Sequence, residues 1–178
     1  MNDIEFKTLR ILLVTAKPHV AEILRQVLGI VGVTNTVLAS GGHAAIDRLT
    51  TEIFDAVFCD EAVSRETGQD FGHAARRTKG LLDPMVPVFL VSGGPRRKDV
   101  EAARDQGYTD IVARPVSAAT VLRKLSVALK RPRPFIVAPE FFGPDRRSQA
   151  RGAFHGSDRR TRTPKKIRIA KPAEVTEV

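Results

Sequence analysis

The 178-residue sequence predicts an α/β fold: a three-layer (βα)5 domain with a doubly wound, parallel five-stranded sheet over residues 1–130, then an irregular basic tail over 131–178. Three observations carry this expectation. Five short apolar runs recur, each followed by a helical pattern. Strands that alternate with helices imply right-handed βαβ units and a parallel sheet covered on both faces. Beyond residue 130, Pro132, Pro134, Pro139 and Pro144 forbid a continuous helix.

The first apolar run is Arg10–Val14, which breaks at Thr15-Ala16 and gives way to Lys17-Pro18. In the helix that follows, Val20, Ile23, Leu24, Val27 and Leu28 fall on one face. The second run, Thr34–Leu38, is weaker, with only Val37 and Leu38 strongly apolar. Ser40-Gly41-Gly42 then turns into "HAAIDRLTTE", where Ala45, Ile46 and Leu49 face inward. The third run, "DAVFCD", ends at Asp60. The fourth, "VPVFLVSGG", opens onto the helix "KDVEAARDQG", closed by Gly107. The fifth, "DIVARP", leads into "SAATVLRKLSVALK". There Ser117 is a plausible N-cap, Val121, Leu122, Leu125, Ala128 and Leu129 form the apolar stripe, and Pro132 lies just past the end.

The formal charge of +9 is unevenly spread. Residues 131–178 hold 12 Lys and Arg against 5 Asp and Glu, and residues 1–130 hold 17 against 15. The basic character belongs to the tail, which predicts an anionic partner such as nucleic acid, a nucleotide or an acidic protein face. One cysteine, Cys59, excludes an internal disulfide and a cysteine-based zinc site, and its apolar setting suits a buried, inert thiol. His19, His43, His73 and His155 share no metal-like spacing. Met1–Glu5 has no basic start and no apolar stretch after it, so no leader is expected. No segment approaches the ~20 apolar residues of a membrane span. A cytoplasmic protein without membrane contact is the expectation.

With Asp60 ending the third run, Ser92 the fourth and Arg114-Pro115 the fifth, the chain resembles a response-regulator receiver domain of the chemotaxis type, flavodoxin-like in fold. The resemblance spans roughly residues 8–130 and rests on "RILLVTAKP", "FDAVFCD", "PVFLVSGG", "GYTDIVARP" and the closing helix. It implies two-component, phosphorelay signalling in a bacterium. In that family an acidic pair after the first strand holds magnesium and an aspartate ending the third accepts a phosphoryl group. A Ser or Thr ends the fourth strand and a Lys before Pro ends the fifth. Asp60 matches the phosphoacceptor and Ser92 the hydroxyl. The acidic pair, however, aligns with Thr15-Ala16, and the lysine with Arg114.

These departures change the expected chemistry. Phosphoryl transfer to a carboxylate needs its charge neutralised, and magnesium needs oxygen ligands, chiefly carboxylates. Asp60 alone, with a Thr15 hydroxyl beside it, should hold magnesium weakly or not at all, and Lys17 brings positive charge close by. Glu61 heads the next loop and is a candidate for one further metal oxygen. Arg114 keeps its charge and can form a bidentate pair with Asp60, mimicking a permanently neutralised site. Two readings of Asp60 stand: a structural remnant paired with Arg114 or Lys17, and a working phosphoacceptor. The expected protein is a non-enzymatic pseudo-receiver adaptor without cofactor, meeting a signalling partner through its last strand and helix. A conventional phosphoacceptor response regulator is the alternative.

The tail carries Phe135, Ile136, Val137, Phe141, Phe142 and Phe154, too many apolar residues for a solvated linker. Phe135–Phe142 is expected to run extended and dock on the body. "GPDRRS" at 143–148 is echoed by "GSDRRT" at 156–161. Each Gly-x-Asp turn leaves an arginine pair, Arg146-Arg147 and Arg159-Arg160, free to grip an anion. Arg147 and Arg151 have an R-x-x-x-R spacing similar to that of PilZ domains, which bind cyclic di-GMP. The layout of receiver plus arginine-rich extension resembles the chemotaxis-like cyclic di-GMP effectors, which implies a cyclic dinucleotide as the tail's ligand. Nonspecific contact with nucleic acid or an acidic protein is the alternative for this segment.

Overall fold

The structure, a computed structural model, describes residues 5–64, 70–138, 141–145 and 165–167. After a short 3-10 turn at Phe6–Thr8, the chain runs β1 (Arg10–Val14), α1 (Pro18–Val31), β2 (Asn35–Ala39), α2 (Gly42–Thr51) and β3 (Ala56–Asp60). It continues with α3 (Phe71–Arg77), β4 (Val88–Gly93), α4 (Arg97–Asp105), β5 (Asp110–Arg114) and α5 (Ala118–Lys130). The five strands form one parallel sheet in the order β2-β1-β3-β4-β5. This is the doubly wound architecture expected from the sequence. The weak second run becomes β2, an edge strand that needs less apolar surface.

Pleating divides each buried strand between two cores. Ile11 and Leu13 of β1 join Phe58, Phe89 and Val91 beneath Val20, Leu24 and Leu28 of α1 and Val121 and Leu125 of α5. Leu12 and Val14 join Val57, Cys59 and Val88 on the other face, with Ala45 and Leu49 of α2 and Phe71 of α3. Phe58 and Phe89 stack across β3 and β4 with centroids 4.9 Å apart, an arrangement worth about 0.5–1.5 kcal/mol beyond its buried area. Both helical stripes are narrower than the sequence suggests. Ile23 is 48% exposed and Leu122 is 42% exposed. At about 100° per residue, each lies more than a quarter turn from the centre of its buried face.

Local signals fix the helix ends. Pro18 opens α1, and Gly32, at φ +99°, closes it. The Asp70 carboxylate caps α3 by accepting from Gly72 N–H, and the Ser117 hydroxyl caps α5 by accepting from Thr120 N–H.

The sequence reads as an irregular extension beyond residue 130, but its described part is paired. β6 (Phe135–Ala138), β7 (Phe141–Pro144) and β8 (Lys165–Ile167) form a small antiparallel sheet in the order β7-β6-β8. β7 packs on α3 and α4, so the expected docking takes the form of paired strands, β6 with β7. A buried cation helps to anchor it. Arg76 of α3 donates from Nε to Gly107 O at 3.0 Å, and from Nη1 to Pro84 O at 2.9 Å and Val86 O at 2.6 Å. Its guanidinium lies 5.2 Å from the Phe135 ring centroid. Burial lowers the Arg76 pKa to about 10, against the opposing charge of Asp83.

Candidate functional site

The carboxyl edge of the sheet gathers side chains that are distant in sequence. The register sets Asp60 beside Val91, Ser92 beside Ala113 and Gly93 beside Arg114. The ends of β3, β4 and β5 therefore meet at one level. Thr15 follows β1 directly, with its N–H on Ala39 O. Such an edge is where open α/β sheets bind ligands.

Asp60 is fully buried, and both its oxygens are occupied. Thr15 Oγ1 donates to Oδ2 at 3.1 Å and Ala62 N–H donates to Oδ1 at 3.3 Å. Arg114 Nη2 stands 3.5 Å from Oδ1, an ion pair at the limit of hydrogen-bond length. Thr15 Oγ1 also accepts from Lys17 N–H at 3.1 Å, which fixes the hydroxyl between the two.

Glu61 is drawn into the same edge. Its N–H donates to Val91 O at 3.0 Å, extending the β3–β4 ladder by one bond. Its side chain turns back over β4. Gly93 N–H donates to Oε1 at 3.0 Å, Arg114 Nη2 donates to Oε1 at 2.6 Å, and the Ser92 hydroxyl donates to Oε2. Burial by itself raises the Glu61 carboxyl. The hydrogen bonds from Ser92 and Gly93, with the Arg114 charge, outweigh it and hold the group below its usual 4.5.

Asp60, Thr15, Ser92 and Arg114 thus come together as the sequence suggests, with two corrections. Arg114 does not grip Asp60 with two bonds: it makes one long contact there and its short one to Glu61. Arg114 reaches Glu61 first because that side chain turns back over the end of β4, the strand next to β5. Lys17 is exposed and, among the described residues, forms no ion pair with Asp60. Ser92 stands near the end of β4, and its hydroxyl donates to Glu61. Ala16 adds no polar side chain. Arg146, Arg147, Arg151, Arg159 and Arg160 lie outside the described residues.

The sequence showed that Glu61 follows Asp60 but not that its carboxylate would close the site. Among the described residues, no three His, Cys, Asp or Glu side chains are grouped to hold a metal ion. No helix there is long and apolar enough to cross a membrane.

A family model described as the response regulator receiver domain matches residues 11–126. The chain is 27% identical over 123 residues to the chemotaxis protein CheY of Pseudomonas aeruginosa, covering 69% of this chain and 98% of that one. The receiver domain of the Francisella response regulator 1452 superposes with a TM-score of 0.60 at 17% identity, over 71% of this chain and all of that one. The receiver domain of the sensor histidine kinase PA1611 of Pseudomonas aeruginosa, solved with magnesium coordinated in its active-site cleft, does so with a TM-score of 0.58 at 21% identity. It covers 68% of this chain and 98% of that one.

Proposed function

The chain belongs to the response regulator receiver domain family over residues 11–126, and on that premise we propose that it is a phosphorylation-independent receiver of two-component signalling. In this reading it is a non-catalytic adaptor whose body binds a signalling protein and whose extension binds a phosphate-bearing ligand.

One observation carries the first part: the Arg114 guanidinium lies against both carboxylates at the carboxyl edge, at 3.5 Å from Asp60 and 2.6 Å from Glu61. The magnesium that family membership implies does not fit this donor set. Thr15 and Ala16 stand where the acidic pair would be, the Thr15 hydroxyl is spent on Asp60, and a fixed cation already faces the two acids. The full burial of Asp60 supports the same reading, because a phosphodonor must approach its oxygens in line. For the partner face, support comes from β5 being an edge strand and from Leu122 standing exposed on α5.

The test is intact-mass spectrometry after incubation with acetyl phosphate and magnesium, with Asp60→Asn as the blank. The protein should stay unmodified, since losing one preorganised charge stabiliser costs on the order of 10²–10³ in rate and about two are altered here. Stoichiometric phosphorylation of Asp60 restores the conventional response regulator.

A second observation favours a ligand at the extension. The strands that bracket the arginine repeats, β7 and β8, both pair with β6, so the two ends of that segment are held on one sheet. We propose a cyclic dinucleotide as its ligand, gripped by Arg146, Arg147, Arg151, Arg159 and Arg160. Arg147→Ala should weaken cyclic di-GMP binding by roughly 1.5–3 kcal/mol, and Arg147→Lys should not rescue it. Full rescue by Lys, with affinity falling steeply in salt and equal binding to single-stranded RNA, points instead to nonspecific nucleic-acid contact.

A further inference from the structure

The donors on Glu61 form a set that suits another ligand. A hydroxyl from Ser92, a backbone N–H from Gly93 and a guanidinium from Arg114 converge from two neighbouring strands on one carboxylate. They border Asp60, whose Oδ1 shares the same guanidinium. A hydroxyl, an amide N–H and a cationic fork are what a tetrahedral oxyanion such as phosphate requires. The edge therefore contains an oxyanion cradle, filled by a side chain of the protein itself.

We infer that Glu61 is the internal ligand of this cradle, occupying the donors an external phosphate group would need. This deepens the phosphorylation-independent reading and rests on it. The occupancy follows from tethering. Glu61 N–H is bonded to Val91 O at 3.0 Å and Val63 N–H to Asp60 O at 3.0 Å, so the backbone of Glu61 is fixed beside β4. Its carboxylate then competes with dissolved anions at a high effective concentration. Arg114 suits the arrangement better than a lysine, because a planar fork can face two carboxylates together where an ammonium is a single point charge.

The experiment is a titration of the full chain with inorganic phosphate, followed by the ¹H–¹⁵N resonance of Gly93, for the wild type, Glu61→Ala and Glu61→Gln. Gly93 reports on the cradle and not on the arginine-rich extension. In the wild type its resonance should stay unmoved across the titration. In both variants it should shift saturably, with phosphate affinity raised by about tenfold or more, a conservative share of the usual tethering advantage. Adding Arg114→Ala to Glu61→Ala should abolish the response. Glu61→Gln nearly preserves the side-chain volume and keeps the test open if Glu61→Ala misfolds. Equal Gly93 responses in the wild type and both variants, or none in either variant, overturn the inference. This outcome is distinct from failure of the broader reading, which would appear as phosphorylation of wild-type Asp60 by acetyl phosphate.

Discussion

Replacing Arg114 by Ala removes one cation from two carboxylates in unlike surroundings. Asp60 is fully buried and its Oδ1 lies 3.5 Å from the guanidinium; the Glu61 side chain is 41% exposed and its Oε1 lies 2.6 Å away. Distance favours Glu61, whereas the dielectric favours Asp60. At an effective dielectric of about 20 the 3.5 Å pair is worth roughly 4.7 kcal/mol, and in water-like surroundings the 2.6 Å pair is worth roughly 1.6 kcal/mol. Arg114 is itself 32% exposed, so screening brings these to about 2 and below about 1 kcal/mol. The longer contact should therefore carry more stability. Urea denaturation of Arg114→Ala, Asp60→Asn, Glu61→Gln and the two double variants containing Arg114→Ala gives both coupling energies. A larger coupling to Glu61 than to Asp60, or none to Asp60, would refute the reasoning.

Acidification provides a second check. Because the folded pKa of Glu61 lies below 4.5, its contribution is complete above that value and is lost as pH falls through the folded pKa. The Gly93 amide shift should titrate with a midpoint below 4.5, and a midpoint at or above that value contradicts the network. Restoring acids with Thr15→Asp and Ala16→Asp should raise magnesium affinity in calorimetry. Tight binding by the unmodified protein, lost in Asp60→Asn, would sink the argument against the metal. A Cβ at Gly72 would lie 2.6 Å from the Tyr108 ring and 2.8 Å from Gln106 O, so Gly72→Ala should cost about 1–3 kcal/mol in urea denaturation. Gly29, inside α1 with nothing within 4 Å, should gain roughly 0.4–1 kcal/mol as Ala, and the opposite order would discredit the packing there. Arg76→Met leaves Gly107 O, Pro84 O and Val86 O without their donor and should cost roughly 3 kcal/mol or more, since each unsatisfied buried group costs about 1–3. A loss under about 1 kcal/mol would mean that these carbonyls find other donors.

The five strands of the parallel sheet and the helices α1, α2, α4 and α5 were legible in the sequence because each is set by neighbours a few residues away. Arg10–Val14 reads as a buried strand from its own apolar content, Ser117 as a cap from its place before a helix, and Gly107 as a stop from its freedom at positive φ. The ends of those strands also placed Asp60, Ser92 and Arg114 at one edge, since parallel strands deliver their last residues to the same side. Tertiary structure decided which partner each side chain takes. Glu61 finds Ser92 and Arg114, 31 and 53 residues away, and no local pattern records which way a loop carboxylate turns. Arg76 lies on the short helix α3 and carries a charge, and no periodicity in the sequence singles it out. It is buried because three backbone carbonyls and the Phe135 ring converge on it from other elements. Ile23 and Leu122 read as core yet stand exposed, because the width of a buried stripe depends on how the helix is rolled against the sheet. β8 pairs with β6 although it lies 165–167 against 135–138 in the chain. Periodicity is a local property, whereas partnership depends on what long-range packing brings within a few ångströms.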